Sequence, residues 1–91
     1  MQTTMNLLEK AIEIKSISEW TRKLGLSRQA LYTARDRGNL SPAIAGSLAE
    51  EIGEDSKEWI VIAALESERE SACKERMVRK WKNASQNMRN L

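Results

Sequence analysis

The side chains of this chain that could do chemistry are basic and polar. There is no His and a single Cys, Cys73, which excludes a Cys/His zinc site, a Cys–His nucleophile pair and an intramolecular disulfide. Residues 15–37 hold six basic residues against Glu19 and Asp36, so their charge is +4, while the whole chain carries +2. The six are Lys15, Arg22, Lys23, Arg28, Arg35 and Arg37. We expect a binding protein rather than an enzyme, with no metal and no cofactor.

The elements that position these residues are predicted to be helices. With one Pro and four Gly, and apolar residues spaced by three and four, the sequence gives strands little support. A capping box at residues 16–19 predicts a helix that begins at Ile17 and ends at Gly25. Ser27 is the predicted cap of the next helix, which ends at Gly38. We therefore expect an all-α protein.

Three more helices complete a predicted compact five-helix bundle. Ser41 and Pro42 start one that ends at Gly53, and Asp55 with Glu58 starts another. The remaining one is an amphipathic stretch near the N-terminus. The apolar side chains at helical spacing are assigned to the core: Met5, Leu8, Ala11, Ile12, Trp20, Leu24, Ile44, Leu48, Ile52, Trp59, Ile60, Ile62, Ala63 and Leu65.

Two helices around a tight turn within residues 17–38 have the spacing of a helix-turn-helix. The stretch Trp20 to Gly38, WTRKLGLSRQALYTARDRG, resembles the Cro and lambda-repressor family of phage regulators, and the resemblance covers Met5 to about Leu65. It implies a lambda-repressor-like DNA-binding domain in residues 1–70, with the helix Ser27–Arg37 in the DNA major groove. Thr21 stands where the family usually has Ala, which predicts a wider crossing of the two helices.

The resemblance also implies roles for individual residues. Arg pairs with guanine O6 and N7, Gln pairs with adenine N6 and N7, and the Thr methyl meets the thymine methyl. Other basic and hydroxyl groups would bind the sugar-phosphate backbone and fix the register. The predicted base contacts are Arg28, Gln29, Tyr32 and Thr33, and the predicted phosphate contacts are Ser27, Arg22, Lys23, Arg35 and Arg37.

Charge changes sign twice after this segment. Residues 54–70 carry −4 and are expected to face away from DNA, whereas the tail, residues 71–91, carries +5. Cys73, Met77 and Trp81, with Val78 beside them, predict an amphipathic helix over residues 72–82 as a C-terminal extension, followed by a frayed end. The tail could pack or dimerise, contact DNA phosphates or anchor to anionic lipid, and the first is favoured.

The function that these patterns predict is a sequence-specific transcriptional regulator, of the kind found as phage or prophage repressors, that binds a double-stranded DNA operator as a homodimer. No signal peptide or membrane span can be drawn over Met1 to Lys10, and a lone Cys suits a reducing compartment, so we expect a cytoplasmic protein with no membrane partner. No small-molecule ligand is evident. The alternative is a protein-interaction module, such as a phage accessory or antitoxin-like protein, that docks through Trp59 to Leu65 and the tail.

Overall fold

The computed structural model describes residues 2–89, and the described part is all-helical, as the sequence predicts. It holds six helices rather than five, because the tail forms a helix of its own after the five of the bundle. They are α1 (Thr4–Ile14), α2 (Ile17–Lys23), α3 (Ala30–Arg37), α4 (Pro42–Glu51), α5 (Ser56–Ser67) and α6 (Ala72–Arg89). None of the described helices combines the length and apolar character that a bilayer crossing requires.

Three of the helix starts follow from the capping residues that the sequence displays. The Ser16 hydroxyl accepts the Glu19 N–H at 3.2 Å, and the Ser41 hydroxyl accepts the Ile44 N–H at 3.3 Å. The Asp55 carboxylate accepts the N–H groups of the second and third residues of α5. Each bond satisfies a backbone donor that the first helical turn leaves without a partner.

The core lies between α1, α4 and α5, with α2 packed onto α1. Trp20 and Trp59 are both almost fully buried, which confirms their assignment to the core. Ile12 and Ile60, by contrast, are 36% and 41% exposed, so assigning them to the core is wrong. On α1 the buried stripe is Thr4, Leu7, Leu8 and Ala11, which leaves Ile12 at its edge.

Helices α4 and α5 approach closely at Gly46, and this contact explains the position of Ile60. A Cβ atom at Gly46 would lie only 2.7 Å from Ile60 Cγ1. The Ile60 side chain therefore occupies the space that a larger residue on α4 would fill, at the rim of the core. A Cβ atom at position 46 would require the Ile60 side chain to shift.

A buried polar network ties the start of α1 to the end of α5 and to the segment that follows α3. The Thr4 N–H and hydroxyl donate to the two carboxylate oxygens of Glu66 at 2.9 and 2.5 Å. The same hydroxyl accepts the Leu40 N–H at 2.8 Å. Glu66 belongs to the acidic stretch, residues 54–70, that the sequence predicts to face away from DNA. Its carboxylate instead contacts Thr4, and through the Thr4 hydroxyl it helps to fix the segment that follows α3.

The tail helix α6 packs against the bundle through part of the predicted stripe. Lys74, Val78 and Trp81 are half-buried, and Trp81 packs against the core, whereas Cys73 and Met77 are exposed. The Lys74 ammonium donates to the Glu68 carbonyl at the end of α5 at 3.0 Å, an interaction that selects this face. The helix also runs to Arg89, beyond the predicted end at residue 82.

Candidate nucleic-acid interface

Helix α2 is anchored by its aromatic residue. Trp20 is 1% exposed, and its indole N–H donates to the Ala11 carbonyl of α1 at 2.7 Å. Thr21 is also buried, and its hydroxyl donates to the Ser18 carbonyl at 2.8 Å, so the polar group that replaces the usual Ala has a partner. The opposite side of α2, with Arg22 and Lys23, is exposed.

The turn after α2 depends on Gly25, which has a φ of +68°. The Leu26 N–H donates to the Thr21 carbonyl at 2.9 Å, and the Gly25 N–H donates to the Arg22 carbonyl at 3.2 Å. These two bonds form the Schellman arrangement that ends many helices. The predicted end of α2 at Gly25 is therefore confirmed, and the chain leaves toward α3 in a tight turn.

Helix α3 begins later than the sequence predicts. Its first residue is Ala30, and Ser27 does not cap it with its side chain. Instead, Arg28 and Gln29 form a turn in which the Ala30 N–H donates to the Ser27 carbonyl at 3.1 Å. The Ser27 carbonyl, rather than its hydroxyl, accepts this backbone N–H. The predicted side-chain cap at Ser27 is therefore wrong, and the Ser27 side chain is exposed.

The side chains of α3 divide cleanly between core and solvent. Leu31 and Ala34 are buried, with 0% and 2% exposure. The four predicted base-contact residues are exposed together on the preceding turn and the first half of the helix: Arg28, Gln29, Tyr32 and Thr33. We call the exposed side chains of residues 17–37 the α2–α3 surface.

One exposed residue of α3 was not considered in the sequence-based site. Asp36 lies one helical turn after Tyr32 and Thr33 and faces solvent. Its negative charge stands between Arg35 and Arg37, near the C-terminal end of the helix. Asp36 therefore offsets part of the positive charge of Arg35 and Arg37 at this end of α3.

Four of the six cations in this segment are held by intramolecular contacts. Lys23 forms an ion pair with Glu51 of α4 at 3.4 Å. The Arg37 Nε donates to the Asn39 side chain at 2.9 Å. Two others lie over aromatic rings: Lys15 over Trp20, at 5.1 Å, and Arg35 over Tyr32, at 5.4 Å.

The other two cations face one cleft. Among the residues that the structure describes, the guanidinium groups of Arg22 and Arg28 have no hydrogen bond, ion pair or ring contact. Both line a concavity of about 560 Å³, together with Ser18, Thr21 and Leu26. Sequence reasoning missed Ser18 and the cleft, although the i, i+4 spacing of Ser18 and Arg22 places them on one side of α2.

Neither a metal site nor an established relative helps to interpret this surface. The described residues include no group of three or more acidic or Cys side chains that could hold a metal ion. No family model, no curated protein and no solved structure matches this chain. The interpretation of the α2–α3 surface therefore depends on its own residues and their contacts.

Proposed function

We propose that this protein is a sequence-specific double-stranded DNA-binding regulator of the helix-turn-helix class, of the kind that phages and prophages use as repressors. The segment Ser27–Arg37 enters the major groove, with α2 across it. The observation that carries the proposal is the division of α3: its inner side chains, Leu31 and Ala34, are buried, while four side chains suited to contacting base edges are exposed together.

The chemistry of the four exposed side chains is that of major-groove recognition. Gln29 offers a donor and an acceptor that match adenine N6 and N7, and Arg28 offers the fork that matches guanine O6 and N7. The Thr33 methyl group suits the thymine methyl. Tyr32 is covered on one ring face by Arg35, which restricts the ring and brings the guanidinium close to the groove edge.

Backbone contacts come from the cations around these readers, with Ser27 as a further phosphate contact. Lys23 is paired with Glu51, but both side chains are about two-fifths exposed, and such a pair stabilises a protein by only about 0–1 kcal/mol. Breaking the ion pair with Glu51 so that Lys23 can bind a DNA phosphate therefore costs little free energy. Arg35 and Arg37, on the last turn of α3, contact the backbone farther along the groove.

A homodimer follows from the size of the recognition element. Helix α3 has 8 residues, and one such helix contacts only a few base pairs. Two copies on a palindromic operator, with half-sites about 34 Å apart or a multiple of that, give useful specificity. Repression then needs no cofactor, because the bound dimer covers the promoter.

The alternative function, a protein-interaction module that docks through residues 59–65 and the tail, has little support in the first of these two segments. Trp59, Ile62 and Ala63 form part of the core and cannot contact a partner. Ile60 is the most exposed large apolar side chain of that helix, and it already lies against Gly46.

The test is selection of a preferred duplex from a randomised library, followed by fluorescence anisotropy with wild-type protein and a Gln29→Ala variant. We expect the substitution to weaken binding to the preferred duplex by about 1–3 kcal/mol and to leave binding to a scrambled duplex unchanged. Gln2→Ala, at an exposed position before α1, is the matched control. Failure to select any preferred sequence would contradict the proposed function.

A further inference from the structure

We infer that Arg22 and Arg28 act together as a clamp on a single DNA backbone phosphate, beside the bases contacted by α3. The inference rests on the proposed DNA binding and deepens it. It replaces the base contact that the sequence and the proposed function assign to Arg28, and it leaves Gln29, Tyr32 and Thr33 as the base contacts. It also makes the cleft between α2 and the start of α3 the point that fixes the register of the protein on DNA.

The first argument is that these two guanidinium groups differ from the other cations of the segment. Lys15, Lys23, Arg35 and Arg37 each have an aromatic, acidic or amide partner. Arg22 and Arg28 have none among the described residues, although each guanidinium carries five N–H donors. Their donors are therefore available to a ligand without breaking any contact of the protein.

The second argument is the composition of the cleft. Its five lining residues include both arginines and no acidic side chain, so no internal carboxylate can neutralise them. The Ser18 hydroxyl has no hydrogen bond within the described part of the chain and adds a further donor. Leu26 supplies an apolar wall, which lowers the local dielectric and strengthens any charge-assisted bond that forms there.

The geometry favours a phosphate over a guanine edge as the ligand. A guanine edge presents two acceptors on one side and takes a single guanidinium fork. A phosphodiester presents two charged oxygens and can accept from two arginines that approach from different walls.

The test compares Arg22→Ala, Arg28→Ala and the double variant on the preferred duplex and on a scrambled duplex, over a range of salt concentrations. We expect each single substitution to weaken binding about tenfold on both duplexes. The double variant should lose clearly less than the roughly hundredfold that two independent contacts would give. Its salt slope should fall by about 0.9, the value for one phosphate, rather than by about 1.8.

A second measurement identifies the phosphate. Single neutral methylphosphonate groups are placed along the preferred duplex, and we expect one position at which the substitution weakens the wild-type protein, weakens each single arginine variant less, and leaves the double variant unaffected. Arg69→Ala, at an exposed position between α5 and α6, controls for the loss of one positive charge and should keep the full methylphosphonate effect.

Two results would overturn the clamp while leaving the proposed function standing. One is an Arg28→Ala variant that weakens binding only to the preferred duplex, which would make Arg28 a base contact. The other is a pair of variants that each lose sensitivity at a different phosphate. Wild-type protein that binds neither duplex would overturn the clamp and the proposed function together.

Discussion

The α2–α3 segment and helix α6 are the two basic regions of this molecule, and their surroundings differ. Residues 15–37 carry +4 and residues 71–91 carry +5. In the first, uncharged polar side chains that suit base edges are exposed among the cations, and two of these cations have no partner within the described part of the chain. In the second, Trp81 packs against the core and Lys74 donates to the Glu68 carbonyl, so one face of α6 lies against the bundle. Net charge alone would indicate the tail as the proposed DNA-binding surface. The combination of net charge, exposure and side-chain type favours α2 and α3 instead.

The largest difference between the two regions should be in stability. Trp20→Ala removes a buried ring and its bond to α1, and we expect it to cost about 3–5 kcal/mol in the free energy of unfolding. Trp81→Ala removes a half-buried ring and should cost roughly 1–2 kcal/mol. Urea denaturation of the two variants measures both values. Equal losses would mean that α6 is as much a part of the core as α2.

A smaller effect is expected when charge is removed from the tail. Arg76→Gln with Lys80→Gln neutralises two exposed cations of α6. We expect the ratio of affinities for the preferred and scrambled duplexes to stay within about twofold of wild type, since phosphate contacts carry no sequence information. Anisotropy on both duplexes measures the ratio. A collapse of the preference would show that α6 contributes to sequence recognition.

The smallest expected effect is a pH dependence of the free energy of unfolding. It comes from Glu54, which belongs to neither basic region. Burial raises the pKa of the Glu54 carboxyl, but hydrogen bonds from the Trp59 indole and the Lys10 ammonium outweigh it, so the pKa lies below its ordinary value of 4.5. A carboxyl with a lowered folded pKa stabilises the fold above its unfolded pKa, and this contribution is lost as the pH falls through the folded pKa.

The variant that tests this is Glu54→Gln, which keeps an acceptor for Trp59. Between about pH 5 and pH 3, its unfolding free energy should fall less than that of wild type, by under about 1 kcal/mol, because the carboxyl is near the surface. Urea denaturation at several pH values measures the difference. Parallel pH profiles for the two proteins would show that the hydrogen bonds to Glu54 add no pH-dependent stability.

Sequence patterns predicted the parts of the fold that depend on near neighbours. The caps at Ser16, Ser41 and Asp55 involve bonds between residues two or three apart, so the local sequence contains all the required information. The Thr4 network joins residues 62 and 36 positions apart, and no local pattern displays it. The packed face of α6 was predicted only in part, with Val78 and Trp81 but not Lys74, because the contact of Lys74 depends on where the end of α5 lies.

The candidate site was predicted in part for similar reasons. Helical spacing indicates which side chains of α3 face outward, because Leu31 and Ala34 define its inner side. It does not indicate which cations find internal partners, since Lys23 meets Glu51 from another helix. Nor does it show that Arg22 and Arg28, from two separate elements, line one cleft.

The most direct measurement is an NMR titration of the ¹⁵N-labelled protein with the preferred duplex, which reports on both basic regions at once. We expect the amide shifts to change most at Arg22 and over residues 27–33, with changes in α6 no larger than those given by a scrambled duplex. Changes confined to residues 72–84, or no changes at any residue, would contradict the claim that α2 and α3 form the DNA-binding surface.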